Sequence, residues 1–203
     1  MPKIVDHEKK KEVILEKALI VFVEKGYYNT RLSDIADECG MGRTTLYQYF
    51  KNKDEIFHLA VKHVFEVLEN EYRRIIYDPQ LTVLEKIKRI ITNIVLKCIN
   101  EKSIMVLLID LWLILKRESN ELLDSVNKRI ENLRNVLSGL LEQGIKAKEI
   151  RPVNKDSMAS ALFGLAESYI LQSSLAKDGS CDTQKYIGNI DIFIDGLKPE
   201  EKE

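Results

Sequence analysis

The stretch "RLSDIADECGMGRTTLYQYF", residues 31 to 50, holds two short amphipathic segments with almost nothing between them. In the first, Leu32, Ile35, Ala36 and Cys39 recur at helical spacing and Gly40 supplies the stop. Only Met41 and Gly42 separate it from "RTTLYQYF", where Leu46 and Phe50 stand at i and i+4. Two helices joined by so tight a glycine turn read as a helix-turn-helix. Upstream, Val13, Ile14, Ala18, Val21 and Phe22 form a further helical face, with Asp6 as its expected cap and Gly26 at its end. The first 50 or so residues therefore predict three helices.

Downstream the pattern lengthens. Ile56, Phe57, Ala60, Val61, Val64, Phe65, Leu68, Tyr72, Ile75 and Ile76 line one long helix that ends at Asp78-Pro79. Thr82 and Glu85 then form a capping box ahead of Leu84, Ile87, Ile91, Ile94, Val95 and Cys98. The run "IMVLLIDLWLIL", 104 to 115, reads as a buried helix, and a further one passes through Leu122, Val126, Ile130, Leu133, Leu137 and Leu141. After the break "IRPVN", two more helices are expected over about 155–176 and 183–197. No segment alternates as a strand would, so the fold class is all-α, about nine helices, with a boundary near residue 50.

Composition excludes several classes of function. Nine glycines and four prolines in 203 residues suit long helices rather than a many-turned β fold. Cys39, Cys98 and Cys181 form no CxxC pair, so neither a disulfide framework nor a zinc site is indicated, and a cytoplasmic location is expected. The 104–115 run is shorter than the ~20 residues a bilayer requires, and Asp110 interrupts it; no membrane role is expected. Catalytic fingerprints such as a P-loop, a serine elbow or HExxH are missing, which points away from an enzyme and from any cofactor. His58, His63 and Glu66 do not complete a metal coordination sphere. The net charge of −1 gives no global attraction to nucleic acid, yet residues 39 to 53 carry Arg43, Lys51 and Lys53 with no acid among them.

"GYYNTRLSDIADECGMGRTTLYQYFKNKDEIF", 26 to 57, resembles the DNA-binding domain of the tetracycline-repressor family. The matching residues are Gly26, Tyr27, Thr30, Ile35, Ala36, Gly40, Thr45, Leu46, Tyr47, Tyr49, Phe50, Lys53, Asp54 and Glu55, in a segment of about a sixth of the chain. The resemblance implies a DNA-binding domain over residues 1–50 and a helical effector-binding and dimerisation domain over 51–203. It implies base-facing roles for Ser33, Arg43, Thr44 and Thr45, and contacts to the DNA backbone from Thr30, Tyr47, Gln48, Tyr49 and Lys53. Arginine pairs bidentately with guanine, and a threonine methyl meets a thymine methyl, which suits such residues to a major groove. The sequence departs from the family at Gly42, where a capping side chain is usual, and at Arg31, where a second threonine is favoured.

Lys53 poses a local puzzle. Asn52 reads as an N-cap with Glu55 closing its box, which makes Lys53 the first residue of a helix. A cation is disfavoured at that positive end of the helix dipole. A DNA phosphate bound there, with Tyr47 and Tyr49 as further donors, would remove the conflict.

In the second domain, Asp110 is either an ion-pair partner or a recognition group in an effector cavity that Met105, Trp112, Met158, Phe163 and Tyr169 would line. Ser160, Gly164 and Ser168 form a stripe of small residues suited to the helix pairing by which the family dimerises. The implied partners are thus a pseudo-palindromic double-stranded DNA operator, a second copy of the chain and an unknown small-molecule effector. The implied function is a transcriptional repressor that its effector releases. Two rivals remain at this stage: a helix-turn-helix binder without an effector, and an all-α ligand-converting enzyme.

Overall fold

The computed structural model describes residues 2–100, 121–175 and 182–199. Among these residues the chain forms eight α-helices and no strand. They are α1 (Pro2–Lys25), α2 (Leu32–Glu38), α3 (Arg43–Leu46), α4 (Lys53–Ile76), α5 (Val83–Asn100), α6 (Glu121–Lys146), α7 (Lys155–Leu175) and α8 (Thr183–Asp195). The helix expected over 104–115 lies outside the described residues. The described chain divides into two compact units, one reaching Val67 and the other taking up Leu68 to Asn100 and the residues from Leu123 on.

In the first unit, α1 begins at Pro2, so Asp6 lies inside the helix and is not its cap. Proline is tolerated there because the first turn's N–H groups have no intrahelical partner. Ile14, Leu15, Ala18, Val21 and Phe22 form the buried stripe of α1, and Ile35 and Ala36 of α2, Leu46, Phe50 and, near the start of α4, Ile56, Phe57, Ala60, Val61 and Val64 are buried too; α1 packs on α2, and Phe22 meets Phe57 of α4. Gly26 ends α1 with φ 73°, a left-handed conformation that glycine adopts without strain. Gly40 does the same at φ 64° in the turn between α2 and α3, where Met41 N–H donates to the Ala36 carbonyl. The segment "RTTLYQYF" is shorter as a helix than its spacing suggests. Only Arg43–Leu46 is α-helical, and turn-like bonds such as Gln48 N–H to Thr45 O carry the winding to Phe50.

The second unit is built on α5, which packs against both α7 and α8. Ile87, Ile90, Ile91 and Val95 are fully buried among Leu137, Leu140 and Leu141 of α6, Ala159, Leu162 and Ala166 of α7, and Ile190 and Ile194 of α8. The Thr82–Glu85 capping box closes in both directions: Thr82 N–H donates to Glu85 at 2.8 Å and Glu85 N–H to Thr82 Oγ1 at 3.2 Å. The Thr82 hydroxyl also donates to the Glu85 carboxylate, at 3.0 Å, and the bonds from the Thr82 N–H and hydroxyl hold that carboxyl below its usual range. Charged pairs lace the rim, among them Arg129–Glu69 and Lys97–Glu71, both at 2.6 Å, and Lys88–Asp195 at 2.8 Å.

Gly144 of α6 carries a steric constraint. A Cβ built on it falls 2.5 Å from Ile150 Cδ1, 2.8 Å from Ile150 Cγ1 and 3.3 Å from Val83 Cγ1. Ile150 is buried, so it cannot swing aside freely. Gly144→Ala should therefore destabilise the second unit by about 1–3 kcal/mol, the usual range for overpacking, although alanine is the better helix former. A urea melt showing equal or higher stability would mean that the loop after α6 yields easily.

Candidate nucleic-acid interface

The candidate interface consists of α2, α3 and the turn that follows. Arg31 occupies the N-cap position of α2 in an extended conformation, and its side chain makes no capping bond. Capping instead comes from Asp34, whose carboxylate accepts from the Arg31 N–H at 2.8 Å. Asp34 also pairs with Lys25 at 2.8 Å, and these two partners, Lys25 first, hold its carboxyl below the ordinary carboxylate range. At the other end of α2, the Lys17 ammonium donates to the Glu38 carbonyl at 2.8 Å, a cation on the negative end of a helix dipole. Both ends of α2 are thus tied to α1.

Gly42 occupies the N-cap of α3 and offers no side chain to cap it. Arg43 and Thr44 follow as exposed residues in the only turn of α3, while Thr45 is half-buried beside them. The Arg43 guanidinium lies 5.5 Å over the Tyr47 ring and donates to its hydroxyl at 3.1 Å. Ser33, in the first turn of α2, is half-buried. Tyr47 is 46% exposed and Gln48 is exposed, whereas Tyr49 is half-buried and stacks on the His7 imidazole at 4.6 Å.

Thr30 corrects one expectation. Its side chain is 2% exposed and its hydroxyl donates to the Gly26 carbonyl at 2.8 Å. It locks the loop between α1 and α2 and presents no donor to a DNA backbone.

Lys53 is the first residue of α4, as its position after Asn52 predicts, and Glu55 N–H donates to Asn52 Oδ1 at 2.8 Å. The return half of the expected box is displaced by one residue, because the Glu55 carboxylate accepts from Lys51 N–H at 2.6 Å. The Lys53 ammonium does not sit on its own helix end. It reaches back to the Tyr27 carbonyl at 2.8 Å and the Tyr28 carbonyl at 3.5 Å, 4.5 Å from the centre of the Tyr27 ring. The Tyr27 hydroxyl in turn donates to Asp54. The conflict with the helix dipole is therefore relieved within the chain, before any DNA is present. Lys53→Met should lower stability by about 1–2 kcal/mol, from the lost charged hydrogen bonds and cation–π contact. An unchanged melting temperature would show that the ammonium is better served by water.

Of the expected effector residues, Met105, Asp110 and Trp112 lie outside the described residues. Met158 and Tyr169 pack against the core of the second unit, Tyr169 stacks on Tyr186 at 4.5 Å, and the Arg134 guanidinium covers the Phe163 ring at 4.9 Å. A depression of about 480 Å³ lies elsewhere in this unit, lined by Ile145, Lys148, Ile150, Arg151, Pro152 and Pro199. Ser160 and Ser168 are exposed on α7, and a Cβ added at Gly164 would meet nothing within 4 Å. His63 stands 4.0 Å from Glu16. No helix among the described residues is long and apolar enough to cross a membrane.

The residues that sequence reading missed are His7 and the Lys25–Asp34 pair. His7 is an exposed residue of α1 whose ring partner, Tyr49, comes from a different element, so no local spacing pointed to it.

Residues 14–60 match the family model described as bacterial regulatory proteins, tetR family. Over 142 residues the chain is 27% identical to the fatty acid metabolism regulator protein of Bacillus subtilis (strain 168), covering 68% of this chain and 69% of that one. Among solved structures it resembles the transcriptional regulator FadR from Bacillus subtilis in complex with stearoyl-CoA, with a TM-score of 0.74 and 24% identity over 89% of this chain and 95% of that one. It also resembles AibR in complex with isovaleryl coenzyme A and operator DNA, with a TM-score of 0.71 and 18% identity over 91% and 97%. At such identities the two structural likenesses are likenesses of fold.

Proposed function

We propose that this chain, which belongs to the tetR family of bacterial regulatory proteins, is a homodimeric DNA-binding repressor released from its operator by a small-molecule effector, an acyl-coenzyme A thioester. The observation that carries the DNA-binding reading is the one-turn α3 behind its glycine turn, with Arg43 and Thr44 exposed inside the segment that matches the family. In this reading Ser33, Arg43, Thr44 and Thr45 meet base edges, and Tyr47, Gln48, Tyr49 and Lys53 hold phosphates. Arg43 must leave the Tyr47 hydroxyl to reach a base, which frees that hydroxyl for a phosphate. Residues 1–50 act as the DNA-binding domain and 51–203 as the effector and dimer domain. The site of action is the cytoplasm.

Dimerisation is supported by the outer faces of α7 and α8. Leu171 and Leu175 continue the Ser160–Gly164–Ser168 stripe at 51% and 72% exposure, and Ile192 of α8 is 73% exposed. Apolar side chains so exposed on two adjacent helices need a partner surface. The effector class is supported by the relatives, two of which hold coenzyme A thioesters in their structures. Turnover of the effector plays no part in this reading.

Selection of bound sequences from a random DNA pool should return a pseudo-palindrome with one half-site per subunit. Arg43→Ala should lose about 1–3 kcal/mol of operator affinity and relax preference at one base pair per half-site. Stearoyl- or isovaleryl-coenzyme A should then weaken operator binding, while free coenzyme A should not. Operator binding that ignores every thioester in a chain-length series would favour the binder without an acyl effector. Inverting a population from 1:99 requires ~10⁴-fold preference of the effector for one state, so partial release is the expected result of a weak thioester.

A further inference from the structure

We infer that His7 is a positioning residue for the DNA contact of Tyr49, an inference that rests on the DNA-binding reading above. The imidazole of His7 and the Tyr49 ring stack at 4.6 Å with 27° between their planes. The two residues reach each other from different elements, His7 from the second turn of α1 and Tyr49 from the turn after α3.

The surroundings show why such a brace is useful. Tyr49 follows a single helical turn and is held at its backbone by a bond from its N–H to the Leu46 carbonyl. A side chain on so short a turn has little neighbouring helix to fix its first torsion. Stacking on one flat face fixes the ring while leaving the hydroxyl at its edge free to point outward. That hydroxyl has no hydrogen-bond partner among the described residues, whereas the Tyr47 hydroxyl accepts from Arg43. Glu8 stands 3.9 Å from His7 and is itself within 3.7 Å of Lys11. His7 is exposed, so it contributes little to the core and is free to serve the surface. The exposed Lys9 and Lys10 follow it on α1 and add positive charge beyond it.

The test is a double-mutant cycle read by binding to a mixed-sequence duplex at low salt, with melting curves for every variant. His7→Ala should weaken binding about two- to tenfold, the range expected for one aromatic pair. His7→Phe, which keeps the flat face, should bind as the unsubstituted chain does. In a Tyr49→Phe background, which keeps the ring and removes the hydroxyl, His7→Ala should cost nothing further. The slope of affinity against salt should be the same with and without His7, because a brace neutralises no phosphate.

Three results would overturn the inference: no loss on His7→Ala, the same loss in the Tyr49→Phe background, or a salt slope lowered by about one unit, which would make His7 a phosphate contact in its own right. Failure of the unsubstituted chain to bind any duplex would instead overturn the DNA-binding reading, and this inference with it.

Discussion

Replacing Gly164 with leucine should leave the chain folded, convert it from dimer to monomer, and weaken operator binding by about 10²–10⁴-fold. The expected fold tolerance follows from the glycine's surroundings. A Cβ added at Gly164 meets nothing within 4 Å, so the new side chain has room within its own chain, and alanine-like residues are better helix formers than glycine. The same is true of Gly188 on α8. A position on a helix where a side chain would cost the monomer nothing, yet where glycine stands, suggests that the space belongs to something else. In the proposed dimer that something is the matching helix of a second copy, which a stripe of Ser160, Gly164 and Ser168 allows to approach closely. Leucine would hold the two helices apart by the depth of its branched side chain. Each head would then bind a half-site alone and lose the effective concentration its linked partner provides. Sedimentation gives the oligomeric state, a far-ultraviolet melt the stability, and titration with the selected operator the affinity. An unperturbed dimer would place the interface off this stripe, and a variant that melts much lower would place Gly164 against a part of its own chain.

The legible part of this protein was the part set by near neighbours in sequence. Helical spacing revealed every helix that the described residues contain, and the Thr82–Glu85 box closes as its spacing predicts, because both halves lie within one turn. The glycine turn at Gly40 was legible for the same reason: only a residue without a Cβ takes φ 64° there at no cost. What spacing could not show is where a long side chain ends. Lys53 was read against its own helix dipole, the nearest field in sequence, yet its ammonium lodges on carbonyls 25 and 26 residues away. Glu55 was read as closing on Asn52 and closes on Lys51, since a flexible carboxylate can serve either N–H. Thr30 fits the family pattern in sequence and is nonetheless buried by the fold, its hydroxyl spent on Gly26. The charged and polar residues expected at the interface were identifiable by type. Their partners in the free protein, Tyr47 for Arg43 and His7 for Tyr49, depend on tertiary packing.

Phe57→Ala should be the most damaging single substitution in the first unit, costing about 3–5 kcal/mol, the range for truncating a fully buried phenylalanine. Phe57 is buried near the start of α4, and its ring meets Phe22 of α1 edge-on at 5.1 Å and Tyr27 at 4.6 Å. Those three rings join α1, the loop after it and α4. Removing the middle one leaves a void bounded by side chains that are already in contact across it, so collapse is resisted and the cavity cost adds to the lost burial. The damage should extend beyond packing. Tyr27 lends its carbonyl and ring to Lys53 and its hydroxyl to Asp54, so a Tyr27 no longer held by Phe57 releases both residues that open α4. The proposed phosphate contact at that helix end would then lose its geometry along with its stability. With a domain's total stability at about 5–15 kcal/mol, a loss of this size should show as a first unit that melts separately from, and before, the second. Calorimetry should resolve two transitions where the unsubstituted chain has a closer pair or one. DNA binding measured below the lower transition should still be weakened, which a purely global loss of stability would not produce. A single transition at unchanged temperature would mean that the Phe22–Tyr27 pair closes over the void, and that the aromatic joint is not what holds α1 to α4.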